Sequence, residues 1–344
     1  MKKIKISTLV YSLGIALAVL LSVSLFMVYG FSSSHKGADR LKDMFPYPIA
    51  FVGYGQAVTY ASLSENIASV RRFYETQDFS KVGLRVDFST KEGEKRFKIR
   101  EKEILNKMIE DEVIESLAKK RGIRVSKEEV RQNITHKLEE YGSEKEVREN
   151  LDRLYGWTVN DFEEKVVMPG LYQEKLQKTF LEESDTSSRA REVIALAEEK
   201  LGSGMSFSDV AKEYSEGKTS EQGGELGWFV LEDLAPELRL VVANQKVGIP
   251  GESVESVLGF HVVLVEEIKK EEGKQLYRLR QIFARKATFA DWLTEKMKEM
   301  TIVVLSPEYR WDNERARVEF RSQEMREFEQ DLFENTEGDP MFFF

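Results

Sequence analysis

The chain contains no cysteine, and that one absence removes disulfides, thiolate nucleophiles, thiolate-ligated metals and lipid-modified cysteines. Histidine is nearly as scarce: His35, His136 and His261 are too dispersed to suggest a zinc site, so no metal is expected. A net charge of -9 leaves no basic excess to neutralise phosphates, which argues against nucleic acid as a partner. Long uncharged runs are missing everywhere but at the N-terminus. What remains is 41% hydrophobic and 32% charged over 344 residues, a globular composition with many solvated helix faces and length for two domains.

The exceptional run is Thr8 to Phe31, 24 residues without a charge, preceded by Lys2, Lys3 and Lys5. At about 1.5 Å per residue such a helix spans about 36 Å, enough for the ~30 Å hydrocarbon core. Residues 1–34 therefore read as a cytoplasmic stub and a single-pass transmembrane helix, with the N-terminus cytoplasmic and the main body outside the cell membrane. The competing reading is a cleaved signal peptide. Its apolar core is typically only ~7 to 15 residues long and ends in an Ala-x-Ala site, which does not follow here.

From Tyr47 to Phe180 the pattern is mostly helical. Ile49 to Thr59 alternates as a short extended piece with bends at Gly53 and Gly55, and Leu63 to Tyr74 has helical spacing. The strongest helix runs from about Glu94 to Lys120, where Leu105, Ile109, Val113 and Leu117 recur every four residues beside Ile104, Met108 and Ile114. Gly122 is placed to end it, since a left-handed residue is cheap there. Ser126 with Glu129, and Ser143 with Glu146, have capping-box spacing, and Pro169 is placed to kink the last helix of the group. These faces read first as core; a groove that holds other chains is the second use they allow.

Two short segments are the densest in information: Gly223-Gly224-Glu225-Leu226-Gly227-Trp228-Phe229 and Gly259-Phe260-His261-Val262-Val263-Leu264-Val265. A glycine-rich turn entering an aromatic pair, followed by a strand that opens with a lone histidine, describes a small sheet with a groove beside it. A core histidine bonded to neighbouring backbone is the competing use of His261.

The extended piece, the helix containing Ile109-Glu110-Asp111-Glu112-Val113-Ile114, the run Ala118 to Ser126, and Tyr155-Gly156-Trp157 with Asp161-Phe162 resemble the N-terminal peptide-binding domain of SurA- and PrsA-type extracytoplasmic foldases. That likeness covers residues 45–181. Residues 187–286 resemble the parvulin (PpiC, rotamase) family of peptidyl-prolyl isomerases, through Gly204-Met205-Ser206-Phe207-Ser208-Asp209-Val210-Ala211, Tyr214-Ser215, the double-glycine turn and the Gly-Phe-His strand. The resemblance implies an α+β fold: a mainly helical chaperone domain plus a small parvulin-like domain with an antiparallel sheet and flanking helices.

Carried over residue by residue, the resemblance makes His261 the second of the family's paired active-site histidines. It places Phe229, Leu234 and Leu238 in the proline pocket, and Gly223, Gly224 and Trp228 in the groove turn. The family's cysteine or aspartate two positions after Tyr-Ser falls on Gly217. The first strand of the family, which carries the other histidine, should precede the helix, but Glu182 to Arg191 is polar and acidic. Tyr277-Arg278-Leu279-Arg280-Gln281-Ile282-Phe283 matches it instead, so the domain is expected to be circularly permuted. Placing Gln281 opposite His261 centres the hairpin turn on Glu271. Gln281 then stands for the first histidine; it can donate and accept hydrogen bonds but cannot carry a proton, and rotation about X-Pro transfers none.

Further on, Phe289, Trp292, Leu293 and Met297 form an amphipathic helix, and Thr301 to Leu305 a strand. By the resemblance, 287–311 returns to complete the chaperone domain. Residues 312–344 hold ten acidic and four basic residues and read as a disordered tail, with an acidic helix as the alternative. The expected function is a membrane-anchored foldase that binds unfolded or proline-containing polypeptides and isomerises X-Pro bonds without a cofactor. A holdase that uses the parvulin domain only to bind peptide, and a tethered scaffold for one folded partner, are the alternatives. Nothing in the sequence sets the oligomeric state.

Overall fold

The computed structural model describes residues 19–20, 22–30, 40–42, 44–53, 55–77, 87–141 and 143–335. In chain order the elements are β1 (Pro48–Val52), β2 (Gln56–Thr59), α1 (Tyr60–Thr76), α2 (Lys91–Lys120), α3 (Lys127–Tyr141), α4 (Glu144–Tyr155), α5 (Val159–Phe162) and α6 (Met168–Glu183). There follow α7 (Ser188–Gly202), α8 (Phe207–Tyr214), β3 (Glu225–Phe229), α9 (Pro236–Asn244), β4 (Val254–Glu255), β5 (Gly259–Glu271) and β6 (Lys274–Arg285). The last are α10 (Phe289–Glu299), β7 (Ile302–Val304), β8 (Tyr309–Asp312), β9 (Arg317–Phe320) and α11 (Gln323–Asn335). They form two compact units: Met1–Lys178 with Leu293–Phe344, and Thr179–Trp292.

The first unit is built around α2, whose Leu105, Ile109, Val113 and Leu117 are buried together with Phe97 and Ile99. Thr90 caps its start by accepting the Gly93 N–H at 3.0 Å, and Gly122 follows its end at φ +77°. The Ser126 and Ser143 boxes are formed, each serine N–H donating to its glutamate at 2.8 Å. The irregularity expected at Pro169 is a π-turn over Glu163–Val167, just before α6. Proline lacks the N–H that would continue the α ladder, and the wider turn absorbs the mismatch. Strand β7, from far along the chain, pairs with β1 in the sheet β2-β1-β7, with Phe51 opposite Val303.

The acidic C-terminal stretch is ordered through Asn335, which corrects the expectation of a disordered tail. Strands β8 and β9 form a hairpin with Trp311 opposite Val318, and α11 buries Leu332. Its acids meet cations from α2: Glu324 is 2.5 Å from Lys95, and Glu329 pairs with the buried Lys102. A net charge counted along the segment alone misses both lysines. Residues 336–344, including the terminal phenylalanines, lie outside the described residues. So does most of Thr8 to Phe31; among the described residues no helix is long and apolar enough to cross a membrane.

The second unit is a four-stranded sheet of order β3-β6-β5-β4, antiparallel throughout. Alternation along β5 and β6 sorts the side chains to two faces. Phe260, Val262, Ile282 and Ala284 pack under α7 and α8 with Ala190, Ile194, Phe207 and Val210. Val263, Val265, Tyr277 and Leu279 pack on the other face against Leu234 and, from α9, Leu238 and Val242. The β5–β6 hairpin closes through Glu272 and Gly273, at φ 48° and 80°, the two positive values a type I′ turn requires.

The register differs from the one expected. The turn lies between Glu272 and Gly273, not on Glu271, and an irregularity at Glu266 takes back part of that displacement. Phe283, not Gln281, stands opposite His261, and Gln281 pairs with Val263. The net slip is two residues, an even number, so Gln281 keeps the face of the sheet that it was assigned.

Candidate functional site

His261, Gln281 and Phe283 lie on the same face as Val263, Val265 and Leu279, where the apolar layer under α9 ends. Directly opposed residues of an antiparallel pair stand ~4.5 to 5.5 Å apart at Cβ and diagonal ones ~7 to 8 Å, so all three side chains share one small area. The Phe283 ring lies 4.8 Å from the His261 ring, tilted by 33°.

His261 is 6% exposed, and its Nε2 lies 2.7 Å from the Ser256 Oγ. The bonds at that oxygen favour one tautomer over the other. Ser256 Oγ accepts the N–H of Leu258 at 3.1 Å and of Gly259 at 3.3 Å, which occupy both lone pairs. Its hydroxyl proton goes to the closer of two acceptors, Nε2 at 2.7 Å over the Gly259 carbonyl at 3.2 Å. That arrangement favours a neutral His261 with its proton on Nδ1, a buried atom whose one polar neighbour is the Gln281 side chain, set too far for a well-formed hydrogen bond. Burial pushes the pKa of the ring below the ordinary histidine value, while the Gln281 side chain and the Glu237 carboxylate act against that shift. A neutral N–H donor at the end of an apolar layer is the chemical content of the site.

Of the three residues assigned to the proline pocket, Leu234 and Leu238 are 8% and 6% exposed and belong to the core under α9; Phe229 packs against the same cluster. Leu234 and Leu238 share that cluster with Val263, two residues from His261, whereas Phe229 stands opposite Tyr277, six residues along β6 from the Phe283 that faces His261, about 20 Å away at ~3.3 Å per residue. The glycines of the turn have a backbone role. Gly224 stands at φ +79°, and a Cβ there would lie 2.3 Å from the Gln281 carbonyl oxygen. The Gln281 N–H donates to the Gly224 carbonyl at 2.9 Å, so the bare glycine lets the turn close onto β6 beside the site. Gly223, at φ +68°, is similarly confined by Ser208. Trp228 is not in the apolar layer under α9; its ring lies beneath Lys269, 4.5 Å from Nζ. A Cβ on Gly217 would make ordinary contact with Phe283 Cβ at 3.7 Å, so the side chain missing there belongs beside Phe283.

Sequence reading missed Ser256 and Phe283. The signal for Ser256 was a serine three residues before Gly259 between two strands, a place where a hydroxyl can collect turn amides. Phe283 was hidden by the two-residue register slip. In the first unit, a cavity of about 340 Å³ is lined by Ile49, Tyr60, Leu63, Ile67, Pro307 and Tyr309 among others.

Two family models match the chain, overlapping at residues 174–182, and neither reaches beyond residue 267, within β5. Residues 174–267 match the family model of the PPIC-type PPIASE domain, so the second unit carries a domain of the rotamase class. Residues 5–182, just over half of the chain, match the SurA-like N-terminal domain, and the chain belongs to that family. Among curated proteins, Chaperone SurA of Chromobacterium violaceum is 30% identical over 119 residues, 33% of this chain and 27% of that protein. The foldase protein PrsA of Halalkalibacterium halodurans is 27% identical over 235 residues, 60% of this chain and 70% of that protein. The chain thus matches about a quarter of the length of the SurA relatives. A crystal structure of the peptidylprolyl isomerase PrsA from Bacillus anthracis shares 19% identity, covering 67% of this chain and 96% of that one, at a TM-score of 0.21.

Proposed function

We propose that the protein is an extracytoplasmic foldase that holds unfolded polypeptides on its SurA-like unit and isomerises X-Pro bonds on its PPIC-type unit. One observation carries the enzyme reading: the strand order β3-β6-β5-β4 brings Gln281 of β6 to the same face as His261, beside the apolar cluster that holds Val263, Leu234 and Leu238. In this reading β6 serves as the displaced first strand of a permuted parvulin domain, residues 187–286, inserted between 45–181 and 287–311. The charge-free run Thr8 to Phe31 after three lysines supports a single-pass anchor with the body outside the cell membrane.

Rotation about X-Pro faces a barrier of ~18 to 20 kcal/mol, and no covalent bond changes. In the twisted amide the nitrogen regains its lone pair and becomes a hydrogen-bond acceptor. A buried Nδ1–H in the favoured tautomer stabilises that state more than the planar one. Seating the ring of proline on the apolar cluster orients the bond, and no proton transfer, metal or nucleotide is needed.

Exchange NMR on a proline tetrapeptide tests this, with wild type, His261→Ala and Gln281→His compared. Acceleration by wild type, its loss in His261→Ala, and a gain in Gln281→His are expected. Absence of acceleration at high protein concentration refutes catalysis. The second reading, a holdase without isomerase activity, is favoured by the close packing of Leu234 and Leu238 and by the missing side chain at Gly217. Aggregation suppression that is the same in wild type and His261→Ala, together with absent acceleration, establishes it.

A further inference from the structure

The β4–β5 turn, Ser256-Val257-Leu258-Gly259, carries two of the most exposed apolar side chains among the described residues, Val257 at 85% and Leu258 at 70%. Isolated exposed apolar residues are ordinary. Two in succession at a tight turn, one of them β-branched, are not, because turns favour glycine, proline, asparagine, aspartate and serine.

The turn is also held firmly. The Ser256 N–H donates to the Gly259 carbonyl at 2.8 Å, and Ser256 Oγ accepts the Leu258 and Gly259 amides. From the end of β6, the Lys286 N–H donates to the Leu258 carbonyl at 3.0 Å and its Nζ to the Ser256 carbonyl at 2.9 Å. Ser256 Oγ also touches His261 Nε2, so the apolar pair stands within two residues of the group that orients the ring. Phe283, half-buried and tilted against that ring, supplies a second apolar surface at the same place.

The nearby cations are already engaged. Lys286 is 2.7 Å from Glu255, and Arg285 is 2.6 Å from Asp291. Glu237 acts on His261 as a negative charge. An acidic side chain entering here meets apolar surface and a like charge, whereas a large apolar one covers Val257, Leu258 and Phe283.

Resting on the prolyl-site reading above, we propose that Val257, Leu258 and Phe283 are specificity-determining residues that select a client proline flanked by large apolar residues over one flanked by acidic residues. Selection of this kind by apolar contact is worth on the order of tenfold or more.

The experiment uses the full chain and three labelled peptides that differ only in the residues on both sides of one proline: leucine, alanine or glutamate. Affinity is read by fluorescence anisotropy, and isomerisation by exchange NMR. Leucine is expected to exceed glutamate by about tenfold or more in affinity, in rate, or in both. The double variant Val257→Ser, Leu258→Ser, whose fold is checked by circular dichroism, is expected to shrink that ratio severalfold. Equal affinity and rate for leucine and glutamate peptides, or a preference unchanged in the double variant, overturns the proposal. If no peptide is isomerised, catalysis fails, yet the affinity ratio still decides the selectivity.

Discussion

Replacing Ser256 by alanine removes one oxygen and breaks three bonds at once: to His261 Nε2, to the Leu258 N–H and to the Gly259 N–H. Ser256 is buried, and leaving a buried donor or acceptor without a partner costs ~1 to 3 kcal/mol. Gly259 is buried as well, while Leu258 reaches solvent, so two of the three losses count fully. We expect Ser256→Ala to destabilise the protein by about 2 to 4 kcal/mol, measured as a reduced urea midpoint with little change in slope. The effect on His261 is more diagnostic. In wild type the Ser256 hydroxyl holds the proton on Nδ1, so long-range ¹H–¹⁵N spectra of the ring should show the Nδ1–H tautomer. In the alanine variant they should show a mixture, and X-Pro isomerisation should fall by roughly tenfold to a hundredfold through loss of orientation. Ser256→Thr, which keeps the hydroxyl, should restore the tautomer. A wild-type ring protonated on Nε2, or an alanine variant with an unaltered tautomer, refutes the bond count on which the mechanism rests.

Gly224→Ala should lower stability by more than about 3 kcal/mol in urea unfolding, because it combines φ +79° with a Cβ placed 2.3 Å from the Gln281 carbonyl oxygen. Lys102→Met leaves the largely buried Glu329 without its partner and should cost about 3 kcal/mol, with the loss first visible as faster amide exchange in α11. The double change Lys102→Met, Glu329→Met should cost clearly less than the single one. The pKa of His261 is lower folded than unfolded, so below pH of about 6.5 the unfolded chain takes up a proton that the native ring refuses. Stability should therefore decline as pH falls from that value toward the native pKa, and His261→Gln should remove this part of the pH dependence in urea midpoints taken between pH 7.5 and 5.

How much of this was legible in the sequence depends on whether a feature is local. The cap at Ser143 needs only Glu146, and the end of α2 only Gly122; both formed as read because every partner lies within one turn of helix. The pairing of β5 with β6 was legible too, since the two runs are separated by a short polar loop that bears a glycine. Register was not. It depends on a turn whose first left-handed residue is Glu272, a type that gives no warning of positive φ, and on a bulge at Glu266. The tail failed for a related reason: the charges that order Glu324 and Glu329 lie on α2, more than two hundred residues away. The same distinction bears on the site. His261 announced itself by its place after Gly259-Phe260, but its chemistry is set by Ser256, which acts through a turn, and by Phe283, which acts through the register. A sequence bearing the histidine alone therefore marks a position on the sheet and leaves its chemistry open. Whether the ring presents a donor or an acceptor there depends on a hydroxyl five residues earlier, so a chain with His261 in place and an apolar residue at 256 should bind peptide while losing the fixed donor.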